Sequence, residues 1–200
     1  MKNKLIVVEG YLASGKSTFA LKLAEALKIP YFMKDTFKIA LCEHLAVESR
    51  RESSRLSTAT FDAMIYAAHR LLEAGYPVIL EGNFVPQGVK DMDESGVIRK
   101  LIAQYACDVL DFKFWGDTKV LYRRFLEREK SPQRGKVNTV GFEPSYAQFD
   151  TWCHNLDPFE AGGSVVKVDT TDFGQIDFCT LTETARRFLD WDGEASQRFG

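Results

Sequence analysis

The sequence predicts an α/β fold built on a parallel sheet, and three observations carry that expectation. Short apolar runs rich in β-branched residues alternate along the chain with longer segments whose apolar residues recur at helical spacing. The runs are continuous more than alternating, which suits strands covered on both faces. The first run passes through a glycine-rich turn straight into a helix, the connection used by parallel βα units.

Taken in order, Leu5, Ile6, Val7 and Val8 form the core of a strand over residues 4–9. Phe19, Ala20, Leu23, Ala24 and Leu27 mark a helix over 16–28, which Ile29 and Pro30 end. Tyr31, Phe32 and Met33 make a short second strand, followed at once by Lys34 and Asp35. A helix over 36–47 carries Phe37, Ile39, Ala40, Leu41 and Leu45. Residues 48–57 are polar and charged, with Arg50, Arg51 and Arg55, and read as a break. A long helix over 58–74 buries Phe61, Met64, Ile65, Ala68, Leu71 and Leu72, and Gly75 stops it. Val78, Ile79 and Leu80 form the third strand and lead into Glu81, Gly82 and Asn83. A helix over 89–106 and a strand over 109–115 follow, and Asp117 caps the next helix. Residues 131–141 read as a polar lid, 145–156 as a helix and 164–168 as the fifth strand; a last helix reaches residue 189. The whole chain, 1–200, reads as one domain, with residues 36–74 as a helical region beside the site.

The turn after the first strand reads Gly10, Tyr11, Leu12, Ala13, Ser14, Gly15, Lys16, Ser17, Thr18. Two glycines at this interval, then Lys and a hydroxyl residue, match the phosphate-binding loop (the Walker A pattern). The chemistry explains the residue types. Gly10 and Gly15 let successive N–H groups converge as an anion nest, and the helix that follows adds its dipole. Lys16 brings a mobile charge to the β- and γ-phosphates, and the Ser17 hydroxyl can coordinate Mg²⁺. ATP with Mg²⁺ is the expected ligand pair.

A net charge of -2 and a pI near 6 give no reason to expect a nucleic-acid surface. The four cysteines, Cys42, Cys107, Cys153 and Cys179, share no metal or disulfide spacing, nor do His44, His69 and His154. The first strand begins too early to leave room for a signal peptide, and no apolar run is long enough to span a bilayer. A cytoplasmic setting is expected, and the oligomeric state is left open.

On this loop and its strand–turn–helix setting, the chain resembles the small P-loop kinases, such as adenylate kinase, shikimate kinase and polynucleotide-kinase-like enzymes. The resemblance implies a three-layer fold with five parallel strands in the order 2-3-1-4-5, and ligands at the carboxyl ends of the strands. It implies catalytic roles for Lys16, Asp35 and Arg128. Asp35, nineteen residues after Lys16, stands where related enzymes orient or deprotonate an acceptor hydroxyl; its alternative role is a helix cap. Lys38 departs from the Arg that often follows three residues later. Glu81 stands where an acid holds Mg²⁺ through its water shell or orients the acceptor, the alternative being an ordinary ion pair. Arg124 and Arg128, four apart, resemble a pair of which the first lies on the adenine and the second reaches phosphate; a solvated helix face is the alternative. Thr170, Thr171 and Asp172 follow the fifth strand, where this group supports the adenine through backbone contacts.

Together these imply a phosphotransferase that moves the γ-phosphoryl group of ATP to a hydroxyl of a small molecule. The rivals are a nucleotide or polynucleotide kinase, with Arg50, Arg51 and Arg55 on an acceptor phosphate, and an ATP-binding regulatory protein without an acceptor.

Overall fold

The computed structural model describes residues 2–89, 93–131 and 142–189. Its centre is a five-stranded, all-parallel sheet in the order β2-β3-β1-β4-β5. The strands are β1 (Lys4–Gly10), β2 (Tyr31–Met33), β3 (Val78–Glu81), β4 (Asp108–Trp115) and β5 (Ser164–Asp169). The helices are α1 (Lys16–Leu27), α2 (Lys34–Cys42), α3 (Arg50–Glu73), α4 (Glu94–Tyr105), α5 (Thr118–Glu129), α6 (Tyr146–His154) and α7 (Phe178–Leu189).

β1 is continuous in apolar character because both of its faces are covered. Leu5 and Val7 pack with Phe61, Met64, Ala68, Leu72, Ile98 and Leu101 from α3 and α4. Ile6 and Val8 pack on the opposite face with Phe19, Leu23 and Leu27 of α1 and Ala185 of α7. All four β1 side chains are fully buried, and each contributes about 2 kcal/mol of transfer free energy. A smaller cluster holds α5 and α6 against the turn after β1, through Tyr11, Ala13, Leu121, Phe125, Phe149 and Cys153.

Two expectations are corrected, and the alternative role of Asp35 as a helix cap is not supported. The polar run 48–57 is not a break: α3 begins at Arg50, where Ser49 and Glu52 form a reciprocal capping box. Its first two turns carry charge because only Ser53 and Leu56 face inward there. α4 starts at Glu94, five residues later than expected, where the Asp93 carboxylate accepts from the Gly96 N–H. Asp35 caps nothing. Met33 holds the cap position of α2 without a side-chain bond, and Asp35 lies in the first helical turn. Ser131 apart, the expected lid lies outside the described residues, as do Arg134 and Lys136.

The sheet also dictates Gly10. It ends β1 at φ 119°, and a Cβ there would sit 2.0 Å from the Phe114 carbonyl oxygen on β4. That same oxygen accepts the Tyr11 N–H at 2.8 Å, so strand and turn are pinned together. Gly10→Ala is therefore expected to cost about 3 kcal/mol or more, measured as a lowered urea midpoint. An unshifted midpoint would contradict this packing.

Candidate active site

The turn between β1 and α1 is the floor of the site. Ala13 and Gly15 both adopt left-handed backbone, at φ 57° and 87°, which folds residues 10–15 into a concave loop. The first intrahelical bond of α1 runs from the Phe19 N–H to the Gly15 carbonyl at 3.1 Å. The N–H groups of Lys16, Ser17 and Thr18 precede it, so this end of the helix offers donors to an anion.

A cleft of about 230 Å³ opens over this turn. Residues Ala13 to Thr18 line one side. Asp35 from α2, and Glu81 and Asn83 at the end of β3, line another. Arg124 and Arg128 of α5, with Phe173 from the turn after β5, complete it. The fold thus brings Lys16, Asp35, Glu81, Arg124 and Arg128 to one cleft from four separate elements. Gly10, Tyr11, Leu12 and Thr171 are not among the lining residues. Nor are Arg50, Arg51 and Arg55, and the Arg50 guanidinium instead lies 4.6 Å over the Phe142 ring and 5.8 Å over Trp152.

Lys16 is buried, and its amine donates to the Tyr11 carbonyl at 2.5 Å across the loop. Burial lowers its pKa, with Arg128 acting in the same direction. The Glu81, Asp35 and Glu9 carboxylates act against this, Glu81 most strongly. The Tyr11 side chain leaves the loop. Its hydroxyl donates to Asp157 at 2.8 Å and its ring packs on His154, so Tyr11 anchors the loop to α6.

Arg124 is a structural clamp as well as a wall. Its two terminal nitrogens donate to the Thr170 and Thr171 carbonyls, at 2.5 and 2.8 Å, and its guanidinium stacks 4.4 Å over the Phe173 ring. Arg128 contacts Glu129 at 3.5 Å and lies over Phe125. Thr171 holds the adjoining turns: its N–H donates to Asp169 and its hydroxyl accepts from the Asp117 N–H.

The donor set suits a magnesium polyphosphate. Main-chain amides, a lysine and two arginines surround the cleft, while Ser17 and Glu81 supply the hard oxygen donors that Mg²⁺ prefers. Among the described residues no cluster of three or more His, Cys, Asp or Glu could hold a metal by itself.

The sequence matches the family model described as an AAA domain over residues 5–153. The chain belongs to that AAA-domain family. No curated protein matches it in sequence. A solved candidate kinase from Chloroflexus aurantiacus is similar at 25% identity, with 94% of this chain and 100% of that one covered and a TM-score of 0.82. Kti12 from Chaetomium thermophilum, solved with ADP-AlF3, shares the fold at 16% identity and a TM-score of 0.58, covering 92% of this chain and 98% of that one. A shikimate kinase from Bacteroides thetaiotaomicron does so at 13% and 0.51, covering 94% and 98%. The AAA-domain chain is thus a kinase-like, nucleotide-binding P-loop protein, with the fold and strand order of the small P-loop kinases.

Two features of this AAA-domain chain were not foreseen. Phe173 enters the site from the turn after β5 and lies so close to Gly15 that a Cβ there would meet the ring at 2.4 Å. The other is a buried acidic pair beneath the loop. Glu9 and Asp111 are each 1% exposed, on adjacent strands, and Lys113 lies 3.7 Å from Glu9. Burial, then the Asp111 charge, pushes Glu9 up to about 8, against the pull of Lys113 and Lys16. Burial raises Asp111 to about 7, against a backbone hydrogen bond from Ala161 and the charge of Lys113.

Both acids hold protons in the folded state that the unfolded chain has already released between pH 4 and 8. Their contribution to stability is therefore complete below pH 4 and is lost as pH rises through about 7 and 8. Urea midpoints are expected to fall from pH 6 to 9, and Glu9→Gln to flatten that fall. An equally steep decline in the variant would remove Glu9 from the account.

Proposed function

We propose that the chain is an ATP- and Mg²⁺-dependent phosphotransferase acting on a hydroxyl group of a small molecule. One observation carries the reading: Asp35, from the helix after the second strand, lines the same cleft as the phosphate loop. The loop amides and Lys16 would hold the polyphosphate of ATP. Arg128 would neutralise charge on the transferring group, and Arg124 would lie against the base. Asp35 would accept the acceptor's proton as its oxygen attacks the γ-phosphorus. Ser17, and Glu81 through water, would hold a Mg²⁺ ion, whose charge would offset that of the phosphates. Catalysis of this type is mostly positioning and electrostatics, which a cleft lined by fixed cations and amides is built to supply.

The absence of Arg50, Arg51 and Arg55 from the cleft lining counts against an acceptor phosphate held there. Among the described residues no helix is long and apolar enough to cross a membrane, and all four cysteines are free thiols. A reducing compartment suits them, and we place the chain in the cytoplasm. The test is transfer of label from γ-labelled ATP into a panel of sugars, nucleosides, aminoglycoside-like compounds and oligonucleotides. Label on a small hydroxyl compound supports the proposal. Label on an oligonucleotide, or release only as phosphate under stimulation by a macromolecule, favours a rival.

A further inference from the structure

We propose that Glu94, through its buried bond to Lys34, is a positioning residue that sets the spacing between Asp35 and the loop that carries Asn83, the two parts of the acceptor side of the cleft. The inference rests on the reading of Asp35 as the group that meets the acceptor hydroxyl, and adds what holds that group in place.

The two parts belong to separate elements. Asp35 stands in the first turn of α2, whereas Glu81 ends β3 and Asn83 lies in the loop that follows. One carboxylate ties them together. Glu94, the first residue of α4, accepts from the Lys34 ammonium with one oxygen and from the Val85 N–H, at 3.0 Å, with the other. Lys34 is the chain neighbour of Asp35, and Val85 stands two residues beyond Asn83. The Val85 carbonyl in turn accepts the Glu94 and Ser95 N–H groups at 3.0 and 3.3 Å, so loop and helix are bound in both directions. Lys34 and Glu94 are both buried. The ammonium lies 5.5 Å over the Phe61 ring of α3, and a Cβ on Gly82 would meet the Lys34 Cβ at 3.3 Å. The lysine is thus wedged between α3 and the strand end that carries Glu81.

Stability alone does not account for such a pair. Charges withdrawn from water lose their hydration, and apolar side chains of similar volume commonly fill such a place at no cost in stability. What apolar side chains lack is direction. A carboxylate bonded through each of its oxygens fixes two distances at once. Asp35 has to meet the acceptor hydroxyl while the phosphate loop holds the γ-phosphorus, and a misplacement of about 1 Å at a reacting group can cost about 10²-fold in rate.

The experiment compares three variants of the full chain: Lys34→Met, Lys34→Met with Glu94→Leu, and Glu94→Gln. Each is read by its urea midpoint, its calorimetric affinity for MgATP, and kcat for transfer from γ-labelled ATP to the compound that takes label in the panel above. Lys34→Met alone strands a buried carboxylate and should lower the midpoint, and adding Glu94→Leu should restore most of that loss. Turnover should not follow: kcat stays down by about tenfold or more in both, with MgATP affinity unchanged. Glu94→Gln keeps the shape but gives up one of the two ties, and should lower kcat by about tenfold. In chains that also carry Asp35→Asn, none of the three should slow transfer by more than about a further threefold, because a residue that acts through Asp35 then has nothing left to position. Turnover recovering together with the midpoint, or losses that multiply with that of Asp35→Asn, overturns the inference; if the apolar pair does not fold, Glu94→Gln with and without Asp35→Asn decides it alone. Absence of label on every small hydroxyl compound with the unaltered chain removes the phosphotransferase reading, and this inference with it.

Discussion

Lys16→Ala is expected to lower phosphoryl transfer by about 10³-fold or more without unfolding the chain. The size follows from the position. The amine is buried beside the phosphate loop, and the neighbouring Glu81, Asp35 and Glu9 carboxylates favour its charged form against the cost of burial. A cation held in a dry site stabilises developing phosphate charge far more than one in water. Stability should suffer little. The Tyr11 carbonyl that Lys16 bonds also accepts the Ser14 hydroxyl at 2.7 Å, so it keeps a partner. Lys16→Arg should rescue poorly, because a planar fork cannot replace a compact ammonium inside the loop. Steady-state turnover and thermal melting separate the two quantities. Turnover close to that of the unaltered chain would remove Lys16 from the chemistry.

Asp35→Asn is expected to reduce turnover on the true acceptor by about 10²- to 10⁴-fold, with nucleotide affinity unchanged. Asparagine keeps the size and an accepting oxygen but cannot take a proton. The structural role of Asp35 is small by comparison. In the first turn of α2 its charge favours the helix dipole by about 0.5 kcal/mol, against the roughly 3–5 kcal/mol that such a rate loss represents. The two explanations are thus separable by magnitude. A variant that is marginally less stable and fully active would leave Asp35 with its helical role alone.

Much of this architecture was legible because it is local. A strand buried on both faces must be apolar throughout, and β1 and β3 announce themselves that way. The phosphate loop is legible for a related reason: glycine alone tolerates the close approach to the Phe114 backbone at position 10, and glycine best adopts the left-handed φ of 87° at position 15. The first turns of α3 were missed because a helix end in solvent carries no apolar stripe, although Ser49 and Glu52 stood at capping-box spacing.

The remaining details are tertiary. Nothing near Phe173 distinguishes it from the other fourteen phenylalanines until the sheet carries it to Gly15. Glu9 and Asp111 become a pair only through the register of β1 with β4. Lys34 and Glu94, sixty residues apart, meet as a buried ion pair for which neither segment gives a signal. The Tyr11 side chain, bonded to Asp157 and packed on His154, ties the loop to α6 by contacts that nothing in the motif announces.

The central claim is that the loop from Gly10 to Thr18 grips a polyphosphate tail. Calorimetric titration of the unaltered chain with MgATP tests it most directly. One site per chain, with a dissociation constant in the micromolar range, is the predicted result. A flat titration at millimolar nucleotide would contradict the account.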